Sequence, residues 1–219
     1  MKIIYEAPDF LAVDKPAGVL SQKDKSGDAD LAEILQREFA KKGKRLPFLA
    51  PAHRLDRNTS GLLLLAKSPE GARKLTGWIR EGVVGKTYLA LVKGDPGESG
   101  RYDFPLEKDP ETNQVFVSED GANALTEFRR VQFLGNSALV EIALHTGRSH
   151  QIRAHFAAAG HALLGDKKYA KKPWSDIFGR PALHAWRLSL PTDAGPKGDL
   201  VAPLPEDFRG LLTKLGGKV

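Results

Sequence analysis

Five consecutive aliphatic residues, Leu62-Leu63-Leu64-Leu65-Ala66, form the longest aliphatic run in the chain, and a polar segment stands directly before them. The run is too short for a buried helix and has no alternation, so it predicts a strand covered on both faces. A strand of that kind is held rigidly, and the loop at its end is a place from which a side chain can be aimed. That loop is His53-Arg54-Leu55-Asp56-Arg57-Asn58-Thr59-Ser60-Gly61. It sets one carboxylate, Asp56, among basic and hydroxyl side chains.

The rest of the chain predicts short strands with helices between groups of them. Ile3–Tyr5 and Phe10–Val13 read as strands around a Pro-Asp turn, followed by a turn at Asp14–Gly18. Asp30 caps a helix that runs to Lys42, with Glu33 at capping-box spacing and Leu31, Ile34, Leu35 and Phe39 on one face. Ser68-Pro69 starts a second helix that ends at Gly82. Strands follow at Lys86–Val92, Gln114–Val117, Ala124–Phe133 and Ala138–Leu144, with a hairpin turn at Asn136-Ser137. Arg148–Ala159 reads as a helix closed by Gly160, Ala182–Leu190 as a strand, and Glu206–Leu215 as a closing helix. No regular βαβ alternation appears. The pattern argues for an α+β fold with a largely antiparallel or mixed sheet. The only plausible subdomain seam is the loop from Gly94 to Leu106.

At 219 residues the chain can bury a substantial core. Its 33 basic and 27 acidic residues leave a formal charge of +6, which suits a polyanionic partner as well as a plain solubility charge. The absence of cysteine excludes disulfides, thiolate nucleophiles and cysteine zinc sites. The N-terminal residues lack a signal-peptide layout, and no stretch is long and apolar enough to span a bilayer. A cytoplasmic location is expected.

Asp56 admits two readings. Loop aspartates commonly cap turns. Flanked by Arg54 and Arg57, with donors at Asn58, Thr59 and Ser60, an ionised and fixed carboxylate can instead act as a nucleophile or base. The segment Thr146–His155 is the second constellation. On a helix starting near Arg148, the residues Arg148, Gln151, Ile152 and His155 share a face. A cation in a first turn is disfavoured by the macrodipole, so Arg148 either faces solvent or meets an anion, for which Asp56 is the candidate.

Tyr88 is either a strand aromatic or a platform for a base. The clusters Lys41/Lys42/Lys44/Arg45 and Lys167/Lys168/Lys171/Lys172 are either solvated faces or phosphate contacts. His145, His150, His155 and His161, spaced by five, five and six, do not fit helical metal ligation. There is no GxSxG elbow, no P-loop and no GxGxxG fingerprint.

Taken together, the motifs resemble those of the RluA-type pseudouridine synthases. His53-Arg54-Leu55-Asp56-x-x-Thr59-Ser60-Gly61 with Ala66-Lys67 resembles that family's first signature. Lys86-x-Tyr88-Leu89-Ala90, Gly147-Arg148-x-His150-Gln151-Ile152-Arg153-x-His155 and Leu183-His184-Ala185 resemble later ones. Minor matches stand at Asp14–Gly18, Gly165-Asp166-x-x-Tyr169 and Ala202–Pro205; Ala170 departs from an expected glycine.

The resemblance implies a mixed, mostly antiparallel curved sheet with a central active-site cleft and flanking helices. It implies one catalytic domain over 1–219, as in short members without an appended N-terminal RNA-binding domain. It further implies isomerisation of uridine to pseudouridine in ribosomal or transfer RNA, without cofactor or metal. In those terms Asp56 is the nucleophile, Tyr88 stacks on the base and aids proton transfer, and Arg148 pairs with Asp56. Leu183 walls the pocket, and Arg54 enters the space left by the flipped nucleotide. The expected partner is RNA, with no membrane and a monomeric chain. Two competing readings are a noncatalytic RNA-binding member of the fold and a glycosidase acting on a free nucleoside. The second usually needs paired carboxylates, and no second acid stands out beside these motifs.

Overall fold

The computed structural model describes residues 1–218, and Cα proximity divides them into two compact units. Unit one comprises Met1–Gly85 and Ala185–Pro203; unit two comprises Lys86–His184 and the C-terminal segment from Leu204. In chain order the first part of unit one holds β1 (Lys2–Glu6), β2 (Phe10–Lys15), α1 (Leu31–Lys41), β3 (Ala50–Pro51), β4 (Ser60–Ala66) and α2 (Pro69–Arg80). Next come β5 (Gly85–Lys93), β6 (Ser99–Tyr102), β7 (Leu106–Lys108), β8 (Val115–Val117), β9 (Thr126–Phe133), β10 (Ser137–Leu144) and α3 (Gln151–Ala158). Finally β11 (Leu183–Ser189) passes from unit two into unit one, β12 (Leu200–Val201) follows, and α4 (Glu206–Lys214) closes the chain.

In unit one the run that opened the sequence is β4, buried along its whole length. It pairs antiparallel with β2, Val13 opposite Leu63 and Lys15 opposite Gly61, and β1 extends the sheet beyond β2. Leu62, Leu64 and Ala66 join Phe10, Ala12, Leu75 and Leu188 in one core cluster. Leu63 and Leu65, pointing to the other face, are equally inaccessible. That two-sided burial is why the strand carries no polar alternation.

Gly61 begins this strand under tight constraint. Its φ is +114°, and a Cβ there would lie 2.1 Å from the carbonyl oxygen of Ala185 on β11. Only glycine permits both the left-handed backbone and that approach. The helices start as their caps require. The Asp30 side chain accepts from the Glu33 amide, and Ser68 Oγ accepts from Gly71 with Pro69 in the first turn.

Unit two is built on a sheet in the order β5-β10-β9-β6, and β7 and β8 form a separate hairpin. Every pairing with a described register is antiparallel, in β1–β2, β2–β4, β5–β10, β10–β9, β9–β6 and β7–β8 alike. The chain is therefore α+β with a mostly antiparallel sheet, as its pattern of elements predicts. Tyr102, Phe128 and Phe156 pack ring against ring between sheet and α3, with centroids 5.1–5.2 Å apart.

Two expectations need correction. Residues 94–106 are not a seam, because they include β6, whose Ser99–Tyr102 pair with Thr126–Arg129 of β9 inside unit two. The helix expected from Arg148 starts instead at Gln151. His150 takes left-handed dihedrals, φ 51° and ψ 17°, which end helical geometry on its N-terminal side. Arg148 thus lies in the preceding turn, outside the helix, and the macrodipole argument for its anion does not apply.

Candidate active site

Asp56 lies in unit one on the loop before β4, half-buried, in a turn closed by the Thr59 amide donating to the Asp56 carbonyl at 2.9 Å. Both of its sequence neighbours are anchored to the segment after β2. On one side, Leu55 is buried and forms a reciprocal pair with Ser21. Its amide donates to Ser21 Oγ at 3.0 Å, and that hydroxyl donates to its carbonyl at 2.8 Å.

On the other side, the Arg57 carbonyl accepts from the Gly18 amide at 2.8 Å and from Lys15 Nζ at 3.1 Å. The Arg57 guanidinium turns to the same segment, donating to the Gly18 carbonyl at 3.0 Å and to Asp28 at 2.6 Å. Arg57 is therefore a brace for the loop. Arg54 is exposed. His53 Nε2 accepts from the Leu64 amide at 3.2 Å, tying the loop's start to β4.

Lys15 is the residue that sequence reasoning missed. Placed in a turn by its neighbours, it instead ends β2 with its side chain wholly buried. Its ammonium donates to the carbonyls of Pro16, Val19 and Arg57 at 3.1, 2.9 and 3.1 Å. A buried ammonium is stable only when its donors are matched. Here the matching carbonyls belong to the two segments that must meet for the Asp56 loop to take its shape. The signal in sequence was only its place in the minor match Asp14–Gly18.

Unit two carries Tyr88, Arg148 and Leu183. Tyr88 lies on β5 opposite Ile142 of β10 and is 6% exposed, more enclosed than a half-buried strand aromatic. Leu183 opens β11, is 4% exposed, and its carbonyl accepts from Arg180 Nη1 at 3.2 Å. Arg180 in turn grips Asp207 of α4 through both carboxylate oxygens, at 2.7 and 3.0 Å. Burial pushes the Asp207 carboxyl up, but the Arg180 guanidinium and the Phe208 amide outweigh it and hold the group below its ordinary value.

Arg148 is exposed. Its Nε donates to the Asn123 carbonyl at 3.1 Å, and its amide donates to the Gln151 side chain at 3.0 Å. Further along the motif, buried Arg153 pairs with fully buried Asp166 through two bonds of 2.7 and 2.9 Å. The guanidinium lies 5.1 Å from the Tyr169 ring. Tyr169 accepts from the Val115 amide of β8 at 2.9 Å, with its hydroxyl 3.0 Å from His150 Nδ1. Lys168, expected among possible phosphate contacts, donates to the carbonyls of Thr112 and Asn113. It holds the β7–β8 loop. Among the described residues no cluster of three or more His, Asp or Glu could hold a metal ion.

Comparison with known proteins places this arrangement. The family described as RNA pseudouridylate synthase matches residues 9–158, from unit one into unit two and across the Asp56, Tyr88 and Arg148 motifs. The chain belongs to the RNA pseudouridine synthases, on their RluA-type branch. A ribosomal large subunit pseudouridine synthase D from Zymomonas mobilis is 33% identical over 230 aligned positions, covering 98% of this chain and 73% of the relative. A dual-specificity RNA pseudouridine synthase RluA from Haemophilus ducreyi is 34% identical, covering 85% of each. A counterpart from Nitrosomonas europaea is 33% identical, and there the chain spans 64% of the relative's length. Among solved structures, human RNA pseudouridylate synthase domain containing 4 shares the fold with a TM-score of 0.82 at 24% identity, covering 99% of this chain. No described helix is long and apolar enough to cross a membrane.

Proposed function

We propose that this chain converts uridine to pseudouridine in ribosomal or transfer RNA, with Asp56 as the attacking carboxylate. The observation that carries the proposal is the position of Asp56 within a motif of the family, on a loop whose residues on either side are anchored through Ser21, Gly18 and Lys15. A carboxylate held by its own backbone, rather than on a mobile loop tip, does not have to be ordered again in each turnover.

The reaction breaks the bond between the ribose anomeric carbon and uracil N1, turns the base, and joins its C5 to the same carbon. The proton on C5 then leaves. The product is an isomer of the substrate, so no oxidant, reductant or group donor enters the balance, and the proposal includes neither cofactor nor metal. Asp56 acts either at the anomeric carbon or on the 2′ proton; both routes need its ionised form. By the family resemblance Arg148 is the partner of that carboxylate, and Tyr88 stacks on the turning base and moves a proton. Leu183 is an apolar wall, and Arg54 fills the gap left by the extruded nucleotide. The family match across both units supports treating 1–219 as one catalytic domain. We place the enzyme in the cytoplasm as a monomer, with RNA as its partner.

The test is pseudouridine mapping of total RNA in a strain lacking the gene. One or a few sites in ribosomal or transfer RNA should lose the modification and regain it with the wild-type gene but not with Asp56→Asn. An unchanged map would contradict the proposal.

A further inference from the structure

We propose that Gln151 is a positioning residue that sets the turn carrying Arg148 through its amide side chain. The inference rests on the reading of Arg148 as part of the active site.

Gln151 is 3% exposed at the first position of α3, and every hydrogen-bonding capacity of its amide is used. Its Oε1 accepts from the Arg148 amide at 3.0 Å and from the Thr146 hydroxyl at 2.7 Å. Its Nε2 donates to the Leu125 carbonyl and to Thr126 Oγ1, both at 3.0 Å. Flipping the amide would set oxygen against the Leu125 carbonyl and nitrogen against the Arg148 amide, so its orientation is forced.

The outer and inner ends of this network are equally determined. Thr146 Oγ1 accepts from the Leu125 amide at 2.9 Å, which directs its own hydrogen to Gln151. Thr126 Oγ1 receives the Gln151 N–H, and its hydrogen points to His155 Nδ1 at 3.0 Å. His155 Nε2 donates to the Phe104 carbonyl at 2.9 Å. That assigns His155 the neutral Nε2–H tautomer, and burial of the ring, which lowers its pKa, agrees. The chain of donors therefore runs in one sense through fully buried Thr126 and His155 and ends on backbone.

The turn at Arg148 has no regular structure of its own, since His150 breaks the helix behind it. Its anchors are the Asn123 carbonyl on the Arg148 side chain, the Gln151 side chain on the Arg148 amide, and a longer bond of 3.3 Å from the Gln151 amide to the Arg148 carbonyl. A side chain so placed controls where the Arg148 guanidinium starts from, without touching substrate.

The variants are Gln151→Met, which keeps the shape and removes all four bonds of the amide, Thr146→Val, which removes one of those four together with the Leu125 amide's bond to the hydroxyl, and Thr146→Ser, which keeps the hydroxyl. Single-turnover rates and KM are measured on an RNA labelled with tritium at uridine C5, with melting curves in parallel. The rate constant should fall roughly 10- to 100-fold for Gln151→Met, as for a misplaced catalytic group. It should fall several-fold for Thr146→Val and stay near wild type for Thr146→Ser, with KM within about twofold throughout. On an Arg148→Ala background, Thr146→Val should have no further effect, because residues acting through one group are not additive. A wild-type rate for Thr146→Val, or a full additional loss on the Arg148→Ala background, overturns the proposal. Should Gln151→Met fail to fold, the Thr146 pair decides alone. Asp56→Asn serves as the control: turnover by that variant refutes the assigned active site, whereas a silent Asp56→Asn beside an unaffected Thr146→Val refutes only the role of Gln151.

Discussion

The Arg148 amide donates to Gln151 Oε1 at 3.0 Å, a bond that reaches back across the broken start of α3 from its first residue. Arg148 is thereby held at its backbone by a buried group while its side chain remains exposed. Removing that side chain leaves the backbone anchor in place and gives up only the exposed bond to the Asn123 carbonyl. Arg148→Ala should therefore change stability by no more than about 0.5 kcal/mol, as for an ordinary surface substitution. Turnover on RNA should nevertheless fall by at least tenfold. Chemical denaturation and product formation measured on the same preparation check the separation.

Gly61 joins the Asp56 loop to β4 with φ +114° and with the Ala185 carbonyl where a Cβ would go. Gly61→Ala combines a left-handed non-glycine residue with a clash against backbone, and neither strand can yield without losing register. A loss of roughly 3 kcal/mol or more is expected. Urea unfolding gives the value; a change below about 1 kcal/mol would mean that the two strands separate easily.

Lys15 fills its site with an ammonium matched to three carbonyls. Lys15→Met keeps the length of the stem and takes one donor from each of those carbonyls, the Arg57 carbonyl keeping only the Gly18 amide, at a cost of about 2–3 kcal/mol. Because one of them is Arg57, next to Asp56, turnover under conditions where the variant is fully folded should also fall. Hydrogen exchange should rise at Gly18, whose amide shares the Arg57 carbonyl with Lys15.

His155 contributes a pH dependence of its own. Burial holds its folded-state pKa below the ordinary 6.5, with a smaller opposing effect from its bond to the Phe104 carbonyl. Above pH 6.5 the ring is neutral in folded and unfolded chains alike and adds nothing to the slope. As pH falls through 6.5 the unfolded chain takes up a proton that the folded chain refuses. Stability is therefore lost on acidification, by up to about 1.4 kcal/mol per pH unit within that window. His155→Gln cannot titrate. Its melting temperature should fall less between pH 7 and pH 5 than that of the wild type; parallel curves would contradict the assignment.

Much of this was legible in the sequence, and for identifiable reasons. Leu62–Ala66, Ser68-Pro69 and Asp30 announced a strand and two helix starts because hydrophobic runs and caps act locally. Ser99–Tyr102 did not read as a strand. Its residues have little strand preference, and its pairing comes from β9, far along the chain. Arg148 was drawn into α3 because helical periodicity does not reveal that His150 turns left-handed and that Gln151 folds back. A buried Lys15 looks like any surface lysine until the carbonyls around it are seen. Lys168 looked like a partner for an anion yet holds backbone carbonyls, and Arg57 divides its guanidinium between the Gly18 carbonyl and Asp28. Charge in a sequence does not say what it faces.

The central claim is that Asp56 carries out the chemistry, and release of tritium from RNA labelled at uridine C5 tests it most directly. The proton at C5 must leave whichever route the carboxylate takes, so the readout does not depend on the choice of mechanism. The wild-type chain should release tritium from ribosomal or transfer RNA that lacks the modification, and Asp56→Asn should release none above background while keeping its melting temperature. Release by Asp56→Asn at the wild-type rate would contradict the account.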